Sequence, residues 1–484
     1  MLTTSQTFRH HFSENFSRFT IIGIVCIIIQ LLVFKLFYPF ADYSSDSYSY
    51  IAAALQKLDV NILPIGYSKF LAFIHHFGHS DMLVFVTQHI LIQLTQFFLL
   101  VTISYFYQPS NKAIKGIFYA LLFNPVSLYL SNYISSDAIF LSLSLIWFAQ
   151  IIWVLNRPSL WIYLIHAITI LITFSISYNA MYFPLVSILT IIISKQKIWV
   201  KAIGVLFPLL LLCLFVQFTI KKTYEITGKK QFSVFRGWQI ANNALYMFPH
   251  LNTIDEPPGD CQMIHRYVVD YFAHLPNIFK KRSPADGSIY LKEVEGPLKK
   301  YQSVTLGKQI DSIGEVQLWS AVSPTFSKYG QFLIKQNPLP YTQYFIIPNT
   351  INYFIPPIEE LETYNPRSQE VSPIAAAWFN YPNNKVHIIF PTFQKTLFYF
   401  FPSLFGLLNI ALFILLLRWI YKKEYIKEKR NFNISCVIVA VMVTANAIFS
   451  ILASPIVFKH QIGPMIIIFT FLVLLAEKSK FETE

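Results

Sequence analysis

The sequence predicts a mainly α protein, a polytopic transmembrane helix bundle of about ten spans carrying one mixed extracytoplasmic domain. Three observations predict it. The 484 residues are 54% hydrophobic, 17% aromatic and only 13% charged, whereas a soluble globular chain carries about a quarter charged residues. The apolar residues fall in runs long enough to cross a bilayer, for which roughly 20 are needed. The basic residues behind the net charge of +13 cluster in short loops between those runs, a distribution that reflects membrane topology rather than a nucleic-acid partner.

The runs lie near 19–40, 83–107, 113–131, 137–155, 160–176, 180–194, 202–220, 394–418, 432–452 and 460–476. The first is too long for a signal-peptide core and lacks a small-residue cleavage site, so it reads as a signal anchor. The fifth and sixth are short and read equally as one kinked element. Apart from glutamines such as Gln30, Gln93 and Gln96, the span centres read as apolar. Placing the N-terminus with Arg9 and Arg18 in the cytoplasm puts sixteen Lys and Arg residues in cytoplasmic segments. The short outer loops hold three, Lys57, Lys69 and Lys459. By the positive-inside rule both termini are then cytoplasmic, in a multi-pass protein of a bacterial inner or plasma membrane. Residues 1–220 form an N-terminal membrane module, 221–392 an extracytoplasmic domain and 393–484 a C-terminal membrane module. Three cysteines, Cys26, Cys213 and Cys436, lie in apolar runs, and Cys261 stands alone in the long polar segment, which excludes a disulfide framework there.

Within 221–392, HRYVVDYFAHLPNIFKK and YLKEVEGPLKKY have helical patterns. FLIKQNPLPYTQYFIIPNTINYFIPP is apolar, but its prolines rule out a regular span, and a broken stretch lying on the membrane or against the bundle is expected.

Candidate chemistry gathers on the outer side. In ADYSSDSYSYIAAA, residues 41–54, helical spacing places Asp42, Asp46 and Tyr50 on one face, with Ile51, Leu55 and Leu58 as an apolar stripe along the bilayer. Two carboxylates at such a boundary suit a general base or a cation site, and an Asp or Ser also suits a helix cap. Pro64 and Gly66 make a turn that delivers Tyr67. His75 and His79, four residues apart, have a spacing that zinc accepts, but no companion motif follows. Asp137 opens the fourth span, where Ser135 or Ser136 caps the helix. Beyond the seventh span, Arg236, Trp238, Gln239, Asn242 and Asn243 combine donors with a ring, a set that suits a sugar face and a phosphate or, equally, an interfacial anchor. Before the last span, Lys459 and His460 form a basic cluster suited to a lipid phosphate, or a snorkelling lysine.

The order of these features resembles the GT-C superfamily of polytopic glycosyltransferases, especially the bacterial branch similar to protein O-mannosyltransferases and lipid A aminoarabinose transferases. Asp46-Ser47 with Tyr50, the Pro64-Ile65-Gly66-Tyr67 turn, Ser136-Asp137 and Lys459 with Pro464 carry the resemblance. It covers the first 190 residues best, the last 30 loosely and the middle weakly. Ser177 and Tyr178, and Lys459-His460, stand where relatives often have arginine.

The resemblance implies an enzyme that moves a hexosyl or pentosyl group from a polyprenyl-phosphate donor to a lipid, glycan or protein hydroxyl outside the cytoplasm, with inversion. Asp46 would be the base. Arg236, Lys459 and His460 would meet the leaving phosphate, while Asp42 and Asp137 would orient Asp46's partners or hold a divalent ion. No metal is assumed, because side chains alone can meet a lipid monophosphate. The alternatives are a polysaccharide polymerase or ligase with the same donor chemistry, a membrane transporter or lipid flippase, and a non-catalytic assembly protein. A transporter usually carries ionisable groups at mid-span.

Overall fold

The first apolar run becomes one 30-residue helix, α1 (Phe8–Phe37), started by Thr7, whose hydroxyl accepts the His10 N–H. The computed structural model describes residues 7–251, 255–276, 281–358, 361–426 and 428–480. Lys427, counted above among the cytoplasmic charges, lies outside them, and the side chain of Lys480 is likewise not described.

After α1 come two short helices, α2 (Ser45–Leu55) and α3 (Gly66–His75), and then α4 (Asp81–Tyr107). The third expected span is two helices, α5 (Asn111–Leu122) and α6 (Pro125–Asn132). Asn124 breaks them apart by capping α6, whose first residue is Pro125. α7 (Asp137–Asn156) and α8 (Leu160–Ile176) follow, then a 3₁₀ turn at Tyr178–Tyr182, α9 (Phe183–Ile193) and α10 (Ile198–Thr227). The middle segment contains α11 (Arg236–Leu245), α12 (Gln262–His274), α13 (Ile289–Lys292), α14 (Pro297–Leu306), α15 (Glu315–Gln336), α16 (Pro338–Tyr341), α17 (Ile347–Phe354) and α18 (Pro373–Trp378). The chain ends with α19 (Phe393–Phe398), α20 (Phe401–Tyr421), α21 (Arg430–Ala453) and α22 (Ile462–Lys480).

Among the described residues, eight helices are long and apolar enough to cross a membrane, and Leu160–Ile176 and Tyr178–Ile193 are two shorter apolar ones. This is a multi-pass membrane protein. Its outer helices show apolar side chains to their surroundings, among them Leu36 on α1, Leu206 on α10 and Phe413 on α20. The spans of α7 and α22 are instead largely buried and form the middle of the bundle.

Lipid tails are as apolar as leucine, so helices in a bilayer associate through close packing and interhelical hydrogen bonds. The structure has many such bonds, and they correct the expectation of apolar span centres. His89 on α4 reaches Ser131 on α6 and Gln30 on α1. His166 on α8 bonds Gln150 on α7 and Ser187 on α9. Both imidazoles are buried with partners on both ring nitrogens, so they tie helices together.

Three further expectations change. α10 runs seven residues past the expected boundary at 220, to Thr227, because nothing stops it before Gly228, which caps it at φ 69°. YLKEVEGPLKKY divides into α13 and α14, since Pro297 fits only the first turn of a helix. The proline-rich apolar stretch is broken only at Asn337, where α15 ends, and not every few residues: from Pro338 on, α16, a π turn at Thr342–Ile346 and α17 run as one helical segment. Pro338 and Pro348 occupy first-turn positions, and the π turn absorbs the misfit before Pro348. As expected, this segment lies against the bundle: the Tyr353 hydroxyl donates to the Val443 carbonyl and accepts from Asn446 on α21.

The middle segment has its own core around Trp238, Tyr246, Phe326 and Tyr329. α11 and α15 cross so closely that a Cβ on Gly237 would fall on the Ser323 carbonyl. Among the described residues no strand forms. Two isolated bridges occur, Asp42 with Tyr133 and Glu370 with Lys385.

Candidate functional site

The site is built where the loop between α1 and α4 meets the head of α7 and the loop before α22. Its first fixed point is Asp81, the first residue of α4. One Asp81 oxygen accepts the Ala41 N–H at 2.7 Å and lies 3.4 Å from Lys35 Nζ on α1. Lys35 also donates to Asn132 Oδ1. This buried hub pins residues 41–43 to the end of the bundle.

Asp42 follows in extended backbone, not on a helix face with Asp46. Its N–H donates to the Asn132 carbonyl, its carbonyl accepts from Ile134, and its carboxylate accepts the Asn365 N–H. α2 starts only at Ser45, where the Ser44 N–H donates to Ser47 Oγ. The helix thus begins three residues beyond Asp42, which is why the expected alignment of Asp42 with Asp46 and Tyr50 fails. The apolar stripe fails too. Ile51 is buried, Leu55 is 57% exposed, and Leu58 lies past the helix end.

Asp46 is exposed in the first turn of α2. One turn on, Tyr50 points inward. It is buried, its ring meets Tyr67 edge-on at 4.9 Å, and its hydroxyl donates to Ser136 Oγ at 3.2 Å. Burial first, and Asp46 second, push the Tyr50 phenol far above its usual pKa, so it stays a neutral donor. Tyr67 is fully buried and donates to Gln88. The turn before it needs glycine because a Cβ on Gly66 would lie 2.6 Å from the Ser175 carbonyl at the end of α8.

Asp137 occupies the first position of α7 and is 7% exposed. Its Oδ2 accepts from Ser135 Oγ at 2.9 Å and lies 3.2 Å from Lys459 Nζ, and its Oδ1 lies 3.5 Å from His460 Nε2. The helix N-terminus, the lysine and the hydroxyl together solvate a carboxylate that burial would otherwise disfavour. Lys459 also lies over the Tyr133 ring. Below His460 a cavity of about 20 Å³ opens between the helices, lined in part by Ser144, Asn179, Asn446 and Ser450.

The loop bearing Lys459 is held by the middle segment. Asn349 on α17 donates to the carbonyls of Ile451 and Ser454 at 2.8 Å each and accepts the Ile456 N–H. The Pro357 carbonyl accepts from Phe458. Sequence reasoning missed Asn349 and Asp81, whose side chains bond backbone groups far away in the chain, and Asn365, whose backbone N–H donates to the distant Asp42 carboxylate.

Asp46, Tyr50, Tyr67, Asp137, Lys459 and His460 therefore come together. Trp238 is buried in the middle core, bonded to the Trp319 carbonyl, and Asn242 is fully buried beside Asn243. Arg236 is exposed at the start of α11. His75 and His79 touch each other at 2.8 Å, and His75 stacks on Trp378. Both Asp137 oxygens and one of Asp42 have protein partners.

Comparison with protein-family models, with curated proteins and with solved structures finds no match.

Proposed function

We propose that this protein is an integral membrane glycosyltransferase of the GT-C type. It moves a sugar from a polyprenyl-phosphate donor to an acceptor hydroxyl on the extracytoplasmic side, with inversion. The observation that carries this reading is the contrast among its carboxylates. Asp42 and Asp137 are buried, while Asp46 is exposed one turn before Tyr50, the residue on which Asp46, Asp137 and Lys459 all act.

In this reading the acceptor hydroxyl binds at Asp46, which takes its proton as the oxygen attacks the anomeric carbon. The bond from that carbon to the phosphate oxygen breaks, and its electron pair leaves with the lipid phosphate. A developing anion needs preorganised donors. His460, with its side chain 33% exposed, and Lys459 supply them. Asp137 then orients the two basic groups and takes no proton. Tyr50 and Tyr67, neutral and packed ring to ring, fix the inner face of α2.

The binding half of this reading is tested with purified protein and polyprenyl-phosphate sugars. Such a lipid should raise the melting temperature, and Lys459→Met with His460→Ala should abolish the shift. A lipid-linked sugar that never shifts the wild type speaks against a donor site.

A further inference from the structure

Glu315, the first residue of α15, reaches the face of α2 from the middle segment. Its Oε2 accepts the Ser49 hydroxyl at 2.8 Å. Ser49 lies three residues after Asp46 on the same helix, so the two are neighbours on one face. Next to this contact, Val60 and Ile62 pack with Val234 and with Val316, the residue after Glu315. The contact is therefore part of a docked interface. Both Asp46 and Glu315 keep a face open to solvent.

We propose that Glu315 is a positioning residue of the transfer centre, through which the middle domain acts on Asp46: the two carboxylates form one coupled pair across the interface of α15 and α2. The proposal rests on reading Asp46 as the base.

The charged groups around the pair set its sign. On α14, Lys299 acts on Glu315 and lies 4.7 Å and 4.4 Å over the rings of Trp238 and Trp319. On α2, Tyr50 faces Asp46, and Asp137 and Lys459 in turn act on Tyr50. Farther along the interface Asp59 is paired with Lys69 and Lys222. Crowding by protein atoms raises Glu315 above the usual glutamate range, Ser49 and Lys299 oppose this, and Asp46 adds to the rise. The interaction between two charges is reciprocal, so an ionised Glu315 makes the Asp46 carboxylate the stronger base. A more basic Asp46 is a better acceptor for a hydroxyl proton. Undocking of the middle domain would withdraw that effect, so docking and base strength are linked.

The test reads each carboxyl directly. A hydrophobic carbodiimide reacts with protonated carboxyls, and mass spectrometry of the labelled protein gives the pH of half-labelling at each site. Glu315→Gln retains an acceptor for Ser49 and removes the charge. Asp46→Asn should lower the half-labelling pH of Glu315 by about half a unit or more, and Glu315→Gln should lower that of Asp46 by a smaller amount. The acid limb of kcat/KM should move with it, with a loss of roughly threefold to tenfold at the plateau. If neither variant moves the other carboxyl, the pair is uncoupled and the proposal is overturned. A labelling shift in a protein that transfers no sugar would instead overturn the transferase reading and leave the coupling standing.

Discussion

Lys459 Nζ lies 3.2 Å from Asp137 Oδ2, and both side chains are about nine-tenths buried. The pair joins the loop before the last helix to the head of α7, which are more than 300 residues apart in sequence. A buried ion pair gains little over apolar packing, but breaking it strands a charge. Asp137→Asn should therefore destabilise the protein by about 3–5 kcal/mol. Asp137→Asn combined with Lys459→Met should recover much of that loss. The two melting temperatures in detergent check this, and a double variant no better than the single one would contradict it.

Asn349 is the second clamp on that loop. Asn349→Ala removes two donors and an acceptor from the backbone of 451–456. Each buried group left unsatisfied costs about 1–3 kcal/mol. Hydrogen exchange should quicken at Ile456 and through Phe458–Gln461, while exchange in α2 stays as in the wild type.

Gly66→Ala places a methyl 2.6 Å from the Ser175 carbonyl. Neither partner is a flexible side-chain tip, so α3 must shift and carry Tyr67 with it. A cost of about 1–3 kcal/mol is expected for such overpacking. The larger effect should be on transfer, since Tyr67 supports the Tyr50 ring. A fully active Gly66→Ala protein would mean that this turn does not set the site.

The side of the membrane is open to direct chemistry. Ser45 is exposed at the first residue of α2. In a background with the native cysteines replaced, Ser45→Cys should react with an impermeant maleimide added outside intact cells. Labelling only after the cytoplasmic face is opened would reverse the proposed orientation and remove the extracytoplasmic acceptor.

Much of the bundle was legible in the sequence because membrane crossing leaves a coarse signature of long apolar runs with polar breaks. That signature located α4, α7, α8, α21 and α22 to within a few residues of the expected spans. It could not show the hydrogen bonds of His89 and His166, because a polar residue in an apolar run gives no sign of its partner. The site was legible in part. Spacing found the pairing of Asp46 with Tyr50, since that lies within one helix. It misjudged Asp42, whose partners Asn132, Ile134 and Asn365 are long-range and hold it in extended backbone. It overvalued Trp238, whose ring and amide-rich neighbourhood look alike whether they face a sugar or a core. Glu315 gave no signal at all, because only the docking of α15 brings it to Ser49.

The assignment of Asp46 as the base is tested most directly by comparing Asp46→Asn with Asp42→Ala in transfer from a radiolabelled polyprenyl-phosphate sugar. Asp42 is structural, so Asp42→Ala should lower the melting temperature, at a cost of about 1–3 kcal/mol for the lost carboxylate bond. Asp46 is exposed, so Asp46→Asn should melt like the wild type and still bind the donor, yet transfer no sugar. Full transfer by a normally folded Asp46→Asn protein would contradict the assignment.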